Sequence, residues 1–449
     1  MPEFHPEELS QWISKPWENG MPDDPVTGIS NDTRTIQPGN LYVAIRGENF
    51  DGHDFVQQAF ENGASGALVD EQFQWSGNPV LHVPDTIKGL QEMARGYRKK
   101  WIGTVVGITG SVGKTTVKEM CADVLSMKGE THRTAGNYNN HIGLPLSMLA
   151  MPRTAEYGVF EIGMNRPGEI AVLADMLQPN IGILTDICNA HRENFQSLEE
   201  IAREKAQLAW RIPSTGTVIL DRDSEWHALI RKHTCAGVRL IALEGVADYV
   251  GHRVAPDVMA ITHHASRITS YEFTMPLPGE HIMKNALRAI ALGLEQGMAP
   301  DEVAEGLRKF KLPAMRWEKS EVRGVKFIND AYNANPLSMR ANLRTFAKLP
   351  GTEKKWVVLG GMRELGDTTE QEHTELGRFI DGLDLDGVVA VGELGKYIAC
   401  NGTNRFFHVS EIAEAAQILK EHLHVGDHVL LKASRGEQLE QVLEYFKES

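Results

Sequence analysis

The residues of this sequence that are best suited to chemistry form a glycine-rich stretch from Gly110 to Thr116. A β-branched run precedes the stretch, and apolar residues recur after it at three- and four-residue steps, which predicts a strand, a turn and a helix. Such a turn directs backbone N–H groups and the positive end of the helix dipole at one point, which suits a phosphate group. We therefore predict that Lys114 reaches the outer phosphates of a nucleotide and that Thr115 ligates Mg²⁺.

The spacing of this loop departs from the strict phosphate-binding pattern. That pattern requires a glycine five residues before Gly113, where this chain has Ile108, and Gly107 stands one residue too early. At this point a glycine-rich turn without a ligand is an alternative. The agreement of strand, turn, Gly-Lys-Thr and helix favours the phosphate loop.

Side chains that could bind a metal ion follow two further predicted strands. Glu161 ends one of them, and His191 follows the next. Ligands of parallel sheets lie beyond the carboxyl ends of the strands, so both side chains are predicted on the edge that carries the phosphate loop. A carboxylate and an imidazole there are suitable metal ligands beside a nucleotide. The alternatives are a hydrogen-bonded loop histidine and, for Lys205 on a predicted helix over 197–210, a solvated surface lysine.

The elements that must position these groups alternate between strands and helices, which predicts the α/β class. Continuous apolar strands in the middle of the chain indicate a parallel sheet with helices on both faces. A smaller α/β unit with a helix over 55–62 comes first, and a third α/β unit comes last. The predicted strands cover 41–45, 67–69, 105–109, 157–162, 181–187, 216–220, 326–328, 356–359, 388–391, 406–409 and 428–432.

Length and composition limit the possible classes of protein. The 449 residues correspond to about three domains, which we place at 1–103, 104–313 and 314–449. The content of 42% hydrophobic and 24% charged residues is that of a globular protein. The net charge of −14 argues against a nucleic acid or an anionic membrane as partner.

The cysteines and the N-terminus indicate a cellular compartment. The four cysteines are far apart and form no C-x-x-C pair, which fits a reducing environment. The first residues lack a basic segment followed by an apolar one, so we expect no signal peptide. No apolar run approaches the length of a membrane span, and we expect a cytoplasmic protein.

Several stretches taken together resemble one family, the ATP-dependent Mur ligases of peptidoglycan synthesis. The phosphate loop 109–116 has that family's own spacing, which removes the objection raised by Ile108. Segments 330–339 and 359–366 resemble the members that add D-alanyl-D-alanine. The other motifs that carry the resemblance are Asp32-Thr33-Arg34, Asn49-Phe50-Asp51-Gly52-His53, Glu161-x-Gly163, Asn189-Ala190-His191, Lys205, Pro278-Gly279-x-His281 and Asn285.

The resemblance implies a fold and an activity. The fold would comprise a small N-terminal α/β domain that binds a UDP-sugar, a central P-loop domain that binds ATP, and a Rossmann-like C-terminal domain. The activity would be an ATP- and Mg²⁺-dependent ligation of D-alanyl-D-alanine to UDP-N-acetylmuramoyl-tripeptide through an acyl phosphate. We expect the enzyme to act as a monomer.

The resemblance also implies roles for individual residues. The catalytic residues would be Lys114, His191, Lys205 and Arg316. The metal ligands would be Thr115, Glu161, His191 and Lys205, the last as a carbamate formed with CO₂. The nucleotide would be bound by Thr109, Gly110, Ser111, Val112, Gly113, Lys114, Thr115, Thr116, Asn285, Arg316, Asp330 and Asn333. The other substrates would be bound by Ser30, Asp32, Arg34, Arg46, His53, Asn137, Asn139, Tyr332 and Asn335.

Some positions depart from the family pattern. The segment 313–316 replaces an expected glycine-arginine pair but keeps Arg316, and Gly361 stands where an aspartate is usual. Two other functions stay open. A sibling ligase would add a single amino acid to a muramyl peptide or glutamate to a folate, and a binding module would use ATP without catalysis. For Arg34, Arg46 and His53, a solvated surface is an equal alternative.

Overall fold

The structure is a computed structural model that describes residues 2–189, 192–263, 268–399 and 405–448. These residues form three successive sheets with five, nine and six strands, and helices pack against each sheet. The predicted α/β class is therefore confirmed. Within the same ranges, no helix combines the length and the apolar character that a bilayer crossing requires.

The first sheet has the strand order β1-β5-β4-β3-β2 and is parallel except for the β1–β5 pair. The strand predicted over 41–45 is shorter than expected, and the predicted helix begins as a 3₁₀ turn at Gly52–Phe55. The elements in chain order are α1 (Pro6–Ile13), β1 (Trp17–Glu18), β2 (Ile29–Ser30), β3 (Leu41–Val43), α2 (Val56–Glu61), β4 (Gly66–Asp70), β5 (Val80–Val83) and α3 (Thr86–Lys100).

The second sheet has the order β14-β13-β12-β11-β10-β9-β6-β8-β7. Its elements are β6 (Thr104–Thr109), α4 (Lys114–Leu125), β7 (Thr131–Arg133), α5 (Gly143–Leu149), β8 (Tyr157–Glu161), α6 (Glu169–Leu177), β9 (Ile181–Leu184), a 3₁₀ turn (Arg192–Asn194), α7 (Leu198–Ala209), β10 (Thr217–Asp221), α8 (His227–Lys232), β11 (Gly237–Ala242), β12 (Tyr249–Ala255), β13 (Val258–His263), β14 (Ile268–Thr274), α9 (Glu280–Glu295) and α10 (Pro300–Lys309).

The position of β6 within this sheet organises the site. The strand lies between β8 and β9 and runs parallel to both. The carboxyl ends of the three strands therefore meet beside the start of α4. This is the edge at which open parallel sheets bind ligands.

The strand pattern predicted a parallel second sheet, but the sheet is parallel only in part. β12, β13 and β14 form an antiparallel meander that continues the parallel part at one edge. Residues along β13 alternate between buried and partly exposed positions, so this segment lacks the continuous apolar run of a strand covered on both faces. The prediction over 181–187 was also too long, because β9 ends at Leu184 and Asp186 pairs instead with Val112 of the phosphate loop.

The third sheet has the order β15-β16-β20-β17-β18-β19 and is parallel except for the β15–β16 pair. Its strands lie within a residue of the predicted ones, except that β15 was not predicted. The elements are β15 (Glu318–Val322), β16 (Val325–Asn329), α11 (Pro336–Ala347), β17 (Lys355–Leu359), a 3₁₀ turn (Gly366–Thr368), α12 (Thr369–Ile380), β18 (Gly387–Val391), α13 (Gly392–Gly395), β19 (Arg405–Val409), α14 (Ile412–His422), β20 (His428–Lys432), 3₁₀ turns (Arg435–Glu437, Leu439–Gln441) and α15 (Val442–Lys447).

Helix α3 fastens the first unit to the second. Its N-terminus is capped by Asp85, whose carboxylate accepts the N–H groups of Ile87 and Lys88. Near its other end the buried Tyr97 hydroxyl donates to the Met151 carbonyl at 2.6 Å. The Trp101 indole donates to the Ala155 carbonyl at 2.9 Å. The two units therefore share one buried interface.

Replacement of Tyr97 by phenylalanine should weaken this interface. The Met151 carbonyl would lose its buried donor, which costs about 1–3 kcal/mol of the free energy of unfolding. Scanning calorimetry of Tyr97→Phe should show a lower melting temperature. The matched control is Tyr445→Phe, because the Tyr445 side chain is 39% exposed. Equal melting temperatures for the two variants would contradict this account of the interface.

Candidate active site

The phosphate loop depends on two glycines. Gly110 has a φ of 152°, and a Cβ at this position would lie 1.8 Å from the Thr185 hydroxyl oxygen. Gly113 has a φ of 86° and directly precedes α4. Side chains at these two positions would be strained or would clash, so the sequence requires glycine there. The tight turn brings the N-terminus of α4 to the carboxyl edge of the sheet.

The side-chain nitrogens of two lysines meet at the carbonyl oxygen of Gly110. Lys114 Nζ donates to this oxygen at 2.9 Å and Lys205 Nζ at 3.0 Å. Lys205 is only 2% exposed, so it is not the solvated surface lysine that helix periodicity allowed. Burial lowers the pKa of Lys205 well below its ordinary value, and the charge of Lys114 lowers it further. Burial also lowers the pKa of Lys114, although the Glu161 carboxylate opposes this shift.

A carboxylate and a hydroxyl face each other at the start of α4. Glu161 is 2% exposed, and its Oε2 accepts the Thr115 hydroxyl at 2.8 Å. Its other oxygen, Oε1, accepts the side-chain amide of Asn139 at 2.7 Å. Glu161 and Thr115 together offer oxygen atoms of the kind that Mg²⁺ prefers in proteins.

The C-terminal unit contributes a cation to the same place. Arg316 lies between α10 and β15, and its Nη2 donates to the Thr115 hydroxyl at 3.2 Å. Its guanidinium carbon lies 4.4 Å from the centroid of the Tyr332 ring. The cation–π contact and the hydrogen bond orient the guanidinium toward the phosphate loop.

Asp330 is held by neighbours that the sequence analysis did not single out. Its Oδ1 accepts the Trp317 backbone N–H at 2.9 Å, and its Oδ2 accepts Lys432 Nζ at 2.5 Å and the Asn342 amide. The Lys432 side chain is 2% exposed. The sequence did contain one indication that Lys432 belongs to the site. This residue ends the predicted strand 428–432, on the edge of the sheet where ligands bind.

Asn333 and Asn335 shape the loop that precedes α11. The Asn335 side-chain oxygen accepts the Ser338 N–H at 2.9 Å and thereby caps the helix. The Asn333 side-chain oxygen accepts the Ala334 N–H at 2.8 Å. Both residues therefore have a structural role in addition to their position at the site.

Most of the predicted site residues surround one cleft of about 1040 Å³ between the second and third units. Thr109 lies behind the cleft, where its hydroxyl donates to the Ile162 carbonyl at 2.9 Å. Predicted residues from both units line the cleft: Ser111, Val112, Gly113, Lys114, Thr115, Thr116, Asn137, Asn139, Glu161, Lys205, Asn285, Arg316, Asp330, Tyr332, Asn333 and Asn335.

The predicted substrate residues of the first unit are outside this cleft. Arg46 is exposed and pairs with Asp51 and Asp70 at 2.7 Å each. His53 is buried between the same two residues, because Asp51 lies 2.6 Å from its Nδ1 and the Asp70 N–H donates to its Nε2. The solvated-surface alternative therefore fails for His53, whose ring joins the strand end to the 3₁₀ turn.

The other predicted substrate residues of this unit form a turn after β2. The Ser30 hydroxyl accepts the Asp32 N–H at 3.1 Å. The Arg34 side chain is 87% exposed and forms an ion pair with Asp32 at 2.7 Å. For Arg34, the structure agrees with the solvated alternative and leaves the guanidinium accessible to an anionic ligand.

The predicted metal ligand His191 lies outside the described residues. Among the residues that are described, no three His, Cys, Asp or Glu side chains gather as a ready metal site. Thr115 and Glu161 still fit one Mg²⁺, since this ion is commonly bound by one or two protein ligands together with substrate phosphates.

The loop, the sheet order and the cleft define the chain as a P-loop α/β protein whose last unit contacts the loop. Family models match it in three segments: "Mur ligase family, catalytic domain" over 25–98, "Mur ligase middle domain" over 108–293 and "Mur ligase, glutamate ligase domain" over 315–435. The UDP-N-acetylmuramoyl-tripeptide–D-alanyl-D-alanine ligase of Bacillus subtilis is 37% identical over 435 residues, with 94% of each chain covered. The chain belongs to the Mur ligase family, and the resemblance noted from its motifs is confirmed.

Solved structures agree with this assignment. MurF from Acinetobacter baumannii matches with a TM-score of 0.92 and 29% identity, and the match covers 100% of both chains. MurF from Thermotoga maritima, solved in complex with ADP, matches with a TM-score of 0.83 and 27% identity over 94% of this chain and 97% of that one. The predicted three-domain fold is therefore confirmed.

Removal of the Lys432 charge should destabilise the C-terminal unit. Lys432→Met would leave the Asp330 carboxylate without its buried cation, at a cost of about 3–5 kcal/mol in the free energy of unfolding. Thermal denaturation should show this loss, and adding Asp330→Asn should recover part of it. The control is Lys396→Met, which removes an exposed pair of the same unit and should have little effect. Equal stabilities of Lys432→Met and Lys396→Met would contradict this account.

Proposed function

We propose that this chain is an ATP-dependent ligase that joins D-alanyl-D-alanine to UDP-N-acetylmuramoyl-tripeptide in the synthesis of peptidoglycan precursors. The observation that carries the proposal is the convergence of Lys114, the Thr115–Glu161 pair and Arg316 in one cleft between two units. The Bacillus subtilis relative with this name supports the choice of substrates. The ADP complex of the Thermotoga maritima protein supports the choice of nucleotide.

The reaction requires two successive transfers. An oxygen of the tripeptide carboxylate attacks the γ-phosphorus of ATP, and ADP leaves, which gives an acyl phosphate. The amine of the dipeptide then attacks the acyl carbon, loses a proton, and expels inorganic phosphate as the amide forms. Carboxylate and triphosphate repel each other, so catalysis depends on positioning them and on offsetting their charge.

The phosphate loop and its neighbours are suited to that task. Lys114 and the N–H groups at the start of α4 would hold the β- and γ-phosphates, and Asn285 would contact the nucleoside side of the cleft. Thr115 and Glu161 would hold one Mg²⁺, and His191 would be a ligand of a second one. Bound there, Mg²⁺ supplies positive charge that offsets the repulsion between the phosphates and the carboxylate.

Lys205 is suited to become a carbamate. A carbamate forms only from a neutral amine, and burial next to Lys114 favours the neutral form by lowering the pKa of Lys205. The modification would convert the Lys205 amine beside Gly110 into an anionic ligand. We propose this carbamate as a metal ligand of the active enzyme.

Arg316 would act from the C-terminal unit. Its contact with the Thr115 hydroxyl supports a role for the guanidinium beside the γ-phosphate during transfer. Because the residue belongs to another unit, this charge would be in place only when the two units are together, which would also exclude water from the acyl phosphate. Asp330 and Asn333 would contact the nucleotide from the same unit.

The remaining substrate contacts follow from the division of the chain. We propose that 1–103 binds the UDP-sugar through Ser30, Asp32, Arg34, Arg46 and His53, that 104–313 binds ATP, and that 314–449 presents the dipeptide. The side chains that would line the peptide path are Asn137, Asn139, Tyr332 and Asn335. We further propose that the enzyme is a cytoplasmic monomer.

A substrate panel tests the proposal. Formation of ADP should require UDP-N-acetylmuramoyl-tripeptide and D-alanyl-D-alanine together, and the product should contain their amide by mass spectrometry. Lys114→Ala should abolish turnover, because it removes the cation at the outer phosphates. Turnover with single amino acids or with folates instead of the dipeptide would favour a sibling ligase. ATP binding without amine-dependent turnover would favour a non-catalytic module.

The carbamate makes a separate prediction. Lys205→Ala should be inactive, and short carboxylates such as formate or acetate should restore part of the turnover by occupying the vacated ligand position. Arg203→Ala is the control on the same helix, since its side chain is 53% exposed and pairs with Glu199 one turn away. Absence of a carbamate signal at Lys205 in the ¹³C NMR spectrum of fully active native enzyme in ¹³C-labelled bicarbonate would refute the carbamate.

A further inference from the structure

An arginine without an assigned role lies directly behind the phosphate loop. Arg288 is on α9, and its side chain is 1% exposed. Its Nη2 donates to Asp186 Oδ1 at 2.7 Å, and its Nη1 donates to the Asn285 side-chain oxygen at 3.1 Å. The carboxylate of Asp221 lies 4.0 Å from the same Nη2. A cation is retained at such depth when buried partners offset its desolvation.

The first of these partners controls the beginning of the loop. The backbone carbonyl of Asp186 accepts the N–H groups of Ser111 at 2.8 Å and of Val112 at 3.3 Å. Burial raises the pKa of Asp186, but the charge and hydrogen bond of Arg288, together with Lys284 and His281, more than offset burial and hold this pKa below its ordinary value. Arg288 therefore fixes the position of Asp186, and the carbonyl of Asp186 in turn holds the first half of the phosphate loop.

The second partner controls the end of the loop. The side chain of Asn285 packs against Gly113, so closely that a Cβ at Gly113 would lie 2.8 Å from its Oδ1. Gly113 is the residue that turns the chain into α4. If the Asn285 side chain rotated, the space available to the turn at Gly113 would change. The hydrogen bond from Arg288 favours the observed orientation of the Asn285 side chain.

We infer that Arg288 is a positioning residue for nucleotide binding, which sets the phosphate loop from both ends through Asp186 and Asn285. This inference rests on the proposed function, because the ligand of the loop is taken to be ATP. Asp186 and Asn285 line the cleft, and Arg288 acts through them. Two donors in a planar fork are needed to reach both oxygens, which a lysine ammonium group cannot reproduce in the same geometry.

The variant Arg288→Lys tests this inference, because it keeps the buried charge while removing the fork. We expect the Michaelis constant for ATP to rise about tenfold. The turnover number and the Michaelis constants for the tripeptide and dipeptide substrates should change less than threefold. Calorimetric titration with ADP should show the same loss of affinity.

The matched control is Arg239→Lys. The Arg239 side chain is 39% exposed and also forms an ion pair with α9, but at the far end of the helix, where its Nε donates to Glu295 at 2.7 Å. The Michaelis constant of Arg239→Lys for ATP should equal that of the wild type.

A second test is Asp186→Asn, which should also raise the Michaelis constant for ATP. The effects of Asp186→Asn and Arg288→Lys combined should be less than additive, because both changes break the same contact.

The outcomes separate this inference from the proposed function. If the wild type binds ADP and Arg288→Lys binds it equally well, or loses only thermal stability, the inference is wrong and the proposed function stands. If the wild type neither binds ADP nor turns over ATP, the proposed function and the inference both fail. A raised Michaelis constant for all three substrates would also contradict a role confined to the phosphate loop.

Discussion

The concentration of basic side chains at one turn of backbone is the constraint on which the rest of the site depends. Lys114 and Lys205 share the Gly110 carbonyl, and Arg316 reaches the adjacent Thr115. Like charges in a desolvated place repel each other, which is one reason for the lowered pKa of Lys205. In a chain of net charge −14, Lys114 and Arg316 provide the local attraction for anionic substrates that the overall field does not.

The strands and side chains around the phosphate loop hold it in one conformation. β6 lies between β8 and β9, so the loop is bordered by Glu161 on one side and by Asp186 on the other. Backbone N–H groups at its start are already hydrogen-bonded, and both of its glycines are pressed against neighbouring side chains. Groups held in this way need little reorganisation when charge develops in a transition state.

The site is completed only by two units in contact. Arg316 crosses from the third unit to the phosphate loop, and the Asn189 amide of the second unit lies 3.5 Å from the Glu372 carboxylate of the third. These polar contacts lie beside an apolar cluster that also joins the two units, with Phe310 of the second unit and Phe346 of the third among its buried members. Relative motion of domains is common within a chain, and it would suit a reaction that must exclude water and then release its products.

Much of the fold and of the site could be predicted from sequence patterns that extend over only a few residues. The phosphate loop, the strands around it and the α/β class follow from β-branched runs, glycines and helical periodicity, all of which act over a few residues. The antiparallel meander β12–β14 was missed because its strands are half exposed and carry no continuous apolar run. The site residues of the cleft were found as separate motifs, and their order along the chain pointed to the family.

The sequence by itself determined which groups could bind phosphate and metal, since residue type and local spacing decide that chemistry. Only the tertiary structure decided which groups meet. Lys205 reaches Gly110 across 95 residues, and Lys432 reaches Asp330 across 102. Arg288 likewise reaches Asp186 across 102 residues. Burial and pairing at such separations depend on how whole helices and strands pack, and no periodicity within one element contains that information.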